Sequence, residues 1–430
     1  MSTWLTVIGI GDDGLAGLSA SARALVETAE LLVGGERHQA MVAEIAAERL
    51  TWEGGVHQAA EVIAGWRGRR VVVLATGDPM WYGGGGNLSR LFGSDELTVI
   101  PYPGAFSLAA ARMLWPMADV LCVSVHGRPF ETLGLHIQPG ARLLVLSRDG
   151  QTPAHAAALL AERGFGPSRI TVLEHLGGPH ERRLDGIAET WSHPRTADLN
   201  TLAIDCRAGP MARVLPPVPG LPDALFESDG QLTKREVRAA TIAALAPLPG
   251  QTLWDVGAGS GSVAIEWLRA APGQRTFDGR EARAVAVERE AGRCALIARN
   301  AAALGVPQLE IVHGEAPDAL AGIPPSPDTI FLGGGLARPG LLDRCWDALA
   351  PGGRLVANGV TLDSGALLLD FRKRHGGELT RLAISHAGPI GHLTAFRPLM
   401  EVTQYVGVKP SAQRSALGGQ REQLELTADG

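Results

Sequence analysis

The apolar run Thr252 to Val256 leads straight into Gly257-Ala258-Gly259-Ser260-Gly261-Ser262, and a stretch with helical spacing follows. Glycines placed between a strand and a helix let the backbone turn sharply and bring its N–H groups close to a ligand at the helix N-terminus. This turn constrains the chain more than any other local feature, because it belongs to the strand-turn-helix unit of an open α/β sheet. The dinucleotide form of the turn is G-x-G-x-x-G. Here the third glycine comes one residue early, and Ser262 stands where it would be needed.

The same rhythm of strand and helix extends in both directions. In the second half, strands are expected at Thr252 to Val256, Ala284 to Glu288, Leu309 to Val312, Thr329 to Leu332 and Arg354 to Asn358. In the first half they are expected at Leu5 to Ile8, Val71 to Ala75, Leu97 to Ile100, Leu121 to Val125 and Leu143 to Leu146, bounded by Gly, Pro or Asp. Apolar spacing of three and four predicts helices over Ala20 to Leu31, Ala105 to Leu114 and Pro153 to Arg163, with Ser19 and Thr152 as N-caps. Between the halves, Gly209 to Pro222 carries prolines that deny both ladder donors and helical conformation, so it should run extended.

A chain of 430 residues exceeds what one core organises, since cores stop growing near ~250 to 300 residues. The expected organisation is a domain at 1–208, a proline-rich linker at 209–224, a second domain at 225–408 and a disordered polar tail at 409–430. Hydrophobic residues at 45% against 20% charged give material for two real cores. A net charge of -6 leaves no basic excess to neutralise phosphates, so nucleic acid is not an expected partner. Cys122, Cys206, Cys294 and Cys345 form no C-x-x-C pair. They read as core thiols in a reducing cytoplasm, with no metal site. The first residues carry no basic n-region, and no apolar run reaches the ~18 residues of a membrane span, so neither export nor insertion is expected.

The spacing Asp255-x-Gly257-x-Gly259-x-Gly261 resembles the class I S-adenosylmethionine (SAM)-dependent methyltransferases. That resemblance implies a Rossmann-like domain whose turn, from Gly257 through Ala258, Gly259 and Ser260 to Gly261, packs against the methionine part of SAM, with Asp255 orienting it. It further implies that Glu288, at the end of the next strand, binds both ribose hydroxyls, and that Glu315 and Ala316 in His313 to Pro317 lie against the adenine. Upstream, Asp229-Gly-Gln231-Leu-Thr233-Lys234-Arg-Glu-Val-Arg238 offers Thr233 as a helix cap with Glu236 at capping-box distance. The same stretch resembles the decarboxylating methyltransferases of corrin rings, where it covers the SAM site, and so brings in Gln231, Thr233 and Lys234. Gly352 to Thr361, with Asn358, fits that group too. No Asn-Pro-Pro-Tyr-like motif stands where methylators of nucleic acids and amino groups carry one, which favours a carbon acceptor.

Val7-Ile-Gly9-Ile-Gly11, Ala75-Thr-Gly77-Asp78-Pro79 and Ile100 to Ser107, in that order and spacing, resemble the tetrapyrrole methylase family. The resemblance implies a two-lobed α/β fold with SAM held between the lobes by Gly9, Gly11, Gly77, Asp78, Pro79 and Ser107. It also implies substrate contacts from His126 and Arg128 in Val125 to Pro129. The family continues its first motif as G-x-G-P-G, whereas this chain has Gly11-Asp12-Asp13-Gly14, which puts that loop's shape in question.

Together the resemblances imply an enzyme with two SAM sites that methylates a corrinoid precursor at two carbons and removes an acetate carboxyl, acting as a homo-oligomer in the cytoplasm. Arg128, Arg148, Lys234 and Arg338 are the cations suited to a polycarboxylate substrate. Two other readings stay open on sequence: a second domain active by itself on another small molecule or RNA, and a dinucleotide-binding scaffold. The early third glycine counts against the latter.

Overall fold

The computed structural model describes residues 3–51, 56–271, 276, 279–324 and 326–411. The chain divides into two units between Val214 and Leu215, inside the proline-rich stretch. Residues 412–430, most of the expected tail, lie outside the described residues. Lys409 is held in the fold, its N–H donating to Gly353 O at 2.8 Å and its Nζ to Asp347 O and Leu349 O, each at 2.8 Å.

The first unit contains two sheets. Strands β1 (Leu5–Ile10), β2 (Leu31–Gly34), β3 (Glu48–Thr51), β4 (Val71–Thr76) and β5 (Leu97–Ile100) form an all-parallel sheet in the order β3-β2-β4-β1-β5. All six residues of β1 are buried, which is why it reads as a continuous apolar run without alternation. Strands β6 (Leu121–Ser124), β7 (Arg142–Leu146), β8 (Arg169–Glu174), β9 (Arg182–Ile187) and β10 (Asn200–Asp205) form a mixed sheet in the order β6-β7-β10-β8-β9.

The second unit is built on one sheet of β11 (Thr252–Val256), β12 (Arg283–Glu288), β13 (Glu310–His313), β14 (Thr329–Leu332), β15 (Arg354–Gly359), β16 (Glu378–Leu382) and β19 (Val402–Val408). Their order is β13-β12-β11-β14-β15-β19-β16, the first five parallel and β19 antiparallel to both neighbours. Strand order reverses at β11, so the crevice for a ligand opens at the carboxyl ends of β11 and β14. A separate hairpin joins β17 (Ser385–Ile390) to β18 (Leu393–Pro398).

Several local expectations need correction. The helix expected over Ala20 to Leu31 ends at Glu27, because Leu31–Gly34 is drawn into the sheet as β2; Ser19 does cap it, accepting from Ala22 N–H at 3.2 Å. Thr152 lies inside the helix Thr152–Glu162, and its Oγ1 accepts instead from the N–H groups of Arg148 and Asp149. Thr233 is not a cap either: the helix Arg235–Leu245 starts two residues later with Lys234 at its N-cap, and the Thr233 carbonyl is taken by Arg238. Two of the four cysteines are buried and two half-buried, and all are free thiols.

Arg238 explains how the proline-rich stretch docks on the second unit. Its guanidinium has no exposed surface. It donates to Glu266 Oε1 at 2.7 Å, to Asp223 Oδ1 at 3.1 Å and to the carbonyls of Leu221 and Thr233, and it lies 4.6 Å over the Phe226 ring. Glu266, equally buried, also accepts the N–H groups of Gly220 (2.6 Å) and Leu221 (3.0 Å). Removing one partner of such a pair strands a buried charge. Glu266→Leu should therefore lower the unfolding free energy by about 3–5 kcal/mol in denaturant titration, with partial recovery on adding Arg238→Met. A loss below about 1 kcal/mol would show that the pair does not hold this segment.

Candidate functional site

At the carboxyl ends of β11, β12 and β14 the second unit opens a cavity of about 660 Å³. Its floor is the glycine turn. Gly257, Gly259 and Gly261 all have positive φ (+73°, +60°, +76°), and a Cβ on Gly257 would sit 3.1 Å from Gly334 Cα. The two glycine loops approach backbone to backbone, a fit that a side chain on Gly257 would crowd.

Of the residues singled out from sequence, Gln231, Thr233, Lys234, Gly257, Ala258, Gly259, Glu288, Glu315, Ala316 and Asn358 all line this cavity. Asp255, Ser260 and Gly261 do not; they support the turn from behind. Asp255 is 1% exposed, and its Oδ2 accepts from Ala264 N–H at 3.0 Å at the start of the helix Ser262–Ala270, while Oδ1 is buried without a partner. Gly261 caps that helix where a Cβ would lie 2.8 Å from Ile297 Cγ2. The Ser260 carbonyl accepts from Asn300 Nδ2 at 3.0 Å.

Glu288 is 4% exposed and is held by backbone donors on both oxygens, Gly259 N–H to Oε2 at 2.8 Å and Glu290 N–H to Oε1 at 3.0 Å. A buried carboxylate anchored this way retains acceptor capacity on each oxygen, which suits a vicinal diol. Glu315 is paired with Arg338 and, at 3.5 Å, with Arg289, so Arg338 is already engaged inside the protein. Sequence reasoning missed Arg293, which lines the cavity and ties the covering stretch down through Asp229 at 2.8 Å, and it missed the apolar wall of Phe331, Val360, Leu399 and Met400. Arg293 lies on a helix with no motif around it, and Leu399 and Met400 reach the cavity through chain reversal after β18, so no local pattern marked them.

In the first unit the three motifs meet at the carboxyl ends of neighbouring strands. Gly77 N–H donates to Ile10 O at 2.9 Å; a Cβ on Gly9 would fall 2.0 Å from Gly77 O, and one on Gly77 would fall 2.8 Å from Gly104 Cα. Gly11 closes against the Tyr102 ring. Asp78 Oδ1 accepts from Met80 N–H at 2.9 Å, which folds the turn through Pro79. Ser107 lies exposed in the helix Ala105–Met113. His126 is exposed after β6, and the Arg128 guanidinium lies 5.1 Å over the Tyr82 ring of the Asp78-Pro79 loop. Arg148 pairs with its neighbour Asp149 at 3.5 Å.

The loop that lacks proline is fixed by side chains instead. Asp12 accepts from Arg37 Nη1 at 2.8 Å and faces His175 Nδ1 at 3.2 Å, while Asp13 Oδ2 accepts from Tyr102 Oη at 2.6 Å. That last bond, with burial, pushes the Tyr102 phenol up to about 12. Among the described residues no group of three or more His, Cys, Asp or Glu is placed to hold a metal ion, and no helix is long and apolar enough to cross a membrane.

Residues 4–190 match the model of the tetrapyrrole (corrin/porphyrin) methylases, and residues 224–409 match that of the precorrin methyltransferase domain. A precorrin-6Y C(5,15)-methyltransferase (decarboxylating) of Sinorhizobium sp is 48% identical over 410 residues, covering 95% of this chain and 97% of the relative. The chain belongs to this family of decarboxylating precorrin methyltransferases. A Mycobacterium tuberculosis relative of the same name is 42% identical over 93% of this chain and 98% of its own length. The solved C-terminal domain of precorrin-6Y C5,15-methyltransferase from Rhodobacter capsulatus is 42% identical, with a TM-score of 0.41 over 45% of this chain and 100% of that one. The fold is thus that of a tetrapyrrole methylase domain followed by a Rossmann-like methyltransferase domain, and the family's methyltransferases use SAM.

Burial pushes the Asp255 carboxyl up to about 7, the Ala264 N–H acting against this and the Glu288 charge adding to it. A carboxyl whose folded pKa is raised favours the folded state when protonated, so its contribution is fully present below about pH 4 and is lost as pH rises toward 7. The unfolding free energy of wild type relative to Asp255→Asn should fall with pH across that window and level off above it. A pH-independent difference would mean that Asp255 is ionised throughout.

Proposed function

We propose that this enzyme methylates precorrin-6Y at C5 and C15 and removes carbon dioxide from the ring C acetate, giving precorrin-8 in cobalamin formation, with SAM bound at two sites in one chain. The observation that carries the reading is the match at 48% identity across 95% of the chain, which spans both domains of a relative bearing that name. The proposed domains are 1–208 and 225–408.

In the second domain the residues around the cavity fit SAM. Glu288 accepts the two ribose hydroxyls, the Gly257-Ala258-Gly259 backbone leaves room for the methionine end, Glu315 and Ala316 lie beside the adenine, and Gln231 and Thr233 cover the cofactor. Asp255, Ser260 and Gly261 act by holding that turn in shape. When bound, SAM supplies a methyl group on a positively charged sulfur. The chain's task is alignment: Phe331, Val360, Leu399 and Met400 give the cavity an apolar wall, and Lys234 stands at the cavity for substrate carboxylates. Held in line with that methyl, a ring carbon made nucleophilic by its conjugated nitrogen would gain the methyl group and lose a proton.

In the first domain, Gly9, Gly11, Gly77, Asp78, Pro79 and Ser107 form the second SAM site, with His126 and Arg128 toward the substrate. The close approach of the Gly9, Gly77 and Gly104 backbones supports this reading. We also assign the enzyme to the cytoplasm, for which four free thiols are suited. A homo-oligomer is part of the same reading, supported by the hairpin residues Leu393 and Phe396, which are 74% and 76% exposed.

Mass spectrometry of precorrin-6Y incubated with the enzyme and SAM should show a gain of two methyl groups and loss of one carbon dioxide. Gly259→Arg drives a side chain into the cavity of the second domain and should give a singly methylated product that keeps its acetate. Loss of both methylations in that variant would contradict independent sites, and an inert wild type would sink the substrate assignment.

A further inference from the structure

Beneath the cavity of the second unit lies a buried polar triad. Thr241 on the helix Arg235–Leu245 has no exposed surface, Gln404 on β19 is 5% exposed and Asn358 on β15 is 9% exposed. Asn358 and Gln404 are directly paired across the two strands, and Asn358 lines the cavity.

The hydrogen bonds leave one consistent orientation. Thr241 Oγ1 donates its proton to Val237 O, one turn back in its helix, at 2.8 Å. Its hydroxyl can therefore only accept from the others, and both amides turn their NH2 groups to it: Asn358 Nδ2 at 2.9 Å and Gln404 Nε2 at 3.2 Å. Gln404 gives its second proton to Asn358 Oδ1 at 3.0 Å. Thr241 is then saturated, and the Asn358 amide cannot flip without setting donor against donor. One N–H of Asn358 has no bond to the described residues.

Three matched apolar side chains in this place would pack without loss of stability, because replacing every partner of a buried polar group by apolar groups is close to neutral. The triad therefore calls for a reason beyond folding. Resting on the functional reading above, we propose that Thr241 and Gln404 are positioning residues that lock the Asn358 carboxamide so that its remaining N–H holds the substrate carboxylate that is lost as carbon dioxide. In that step the carbon–carbon bond to the carboxylate breaks and carbon dioxide leaves. The electron pair stays on the methylene carbon, conjugated with the ring, which then takes a proton from water. A neutral donor suits this chemistry. It orients the carboxylate without the ground-state stabilisation that an arginine would give to a charge about to disappear.

The test uses the full chain with SAM and precorrin-6Y, following carbon dioxide release, methyl transfer and SAM affinity separately. Thr241→Val removes the acceptor and should slow carbon dioxide release on the order of 100-fold, the usual effect of a misplaced contact, with SAM affinity unchanged. Thr241→Ser restores the hydroxyl and should restore the rate. Gln404→Leu, on a different strand, should act like Thr241→Val. Decarboxylation at the wild-type rate in both Thr241→Val and Gln404→Leu overturns the proposal while leaving the functional reading intact. Parallel loss of SAM affinity, or failure of Thr241→Ser to rescue, overturns it in favour of a structural role. A wild-type chain that methylates but releases no carbon dioxide overturns it together with the decarboxylase assignment.

Discussion

The bond from Gly259 N–H to Glu288 Oε2 ties the turn after β11 to the end of β12, and the shape of the second unit's cavity depends on it. Glu288 is buried, yet both its oxygens receive backbone donors, so the carboxylate is oriented before any ligand arrives. The turn can reach Glu288 because glycines at 257 and 259 adopt positive φ, and it can approach Gly334 closely because Gly257 carries no side chain. The pieces of the cavity, the turn, the carboxylate and the facing glycine loop, are thus consequences of the five parallel strands of one sheet whose order reverses at β11.

How much of this was legible in sequence follows from burial. Central parallel strands such as β11 and β14 are buried at every residue, so their apolar runs stood out, and the motifs after them fell where the sheet places ligands. Strands β16, β17 and β18 are largely exposed and form no continuous buried run, and β2 merged with the end of a helical pattern, so these were not visible. The cavity's covering stretch was marked by its motif, but its anchoring was not. Arg238 closed that motif with no role assigned to it, whereas it is buried and carries four hydrogen bonds. Asp255 was read as a ligand-facing group because a family motif names residues without saying on which side of a loop they lie. Here it faces the Ala264 N–H behind the turn.

The first domain braces its glycine loops with different parts. Asp12 and Asp13 are fixed by Arg37, His175 and Tyr102, so the loop is held by side-chain hydrogen bonds that join residues distant in sequence. Neither aspartate could be assigned these partners from sequence, since Arg37 and Tyr102 arrive from other strand ends and His175 from the second sheet. The two domains therefore carry differently built frames, one with a carboxylate under a glycine turn and one with three backbone loops in contact.

The central claim is that both frames bind SAM in a single chain. Equilibrium dialysis of the purified full-length protein against radiolabelled SAM tests it most directly. The account predicts two SAM molecules per chain at saturation, falling to one in Gly259→Arg; saturation at one in the unaltered protein, with none left in the variant, would contradict it.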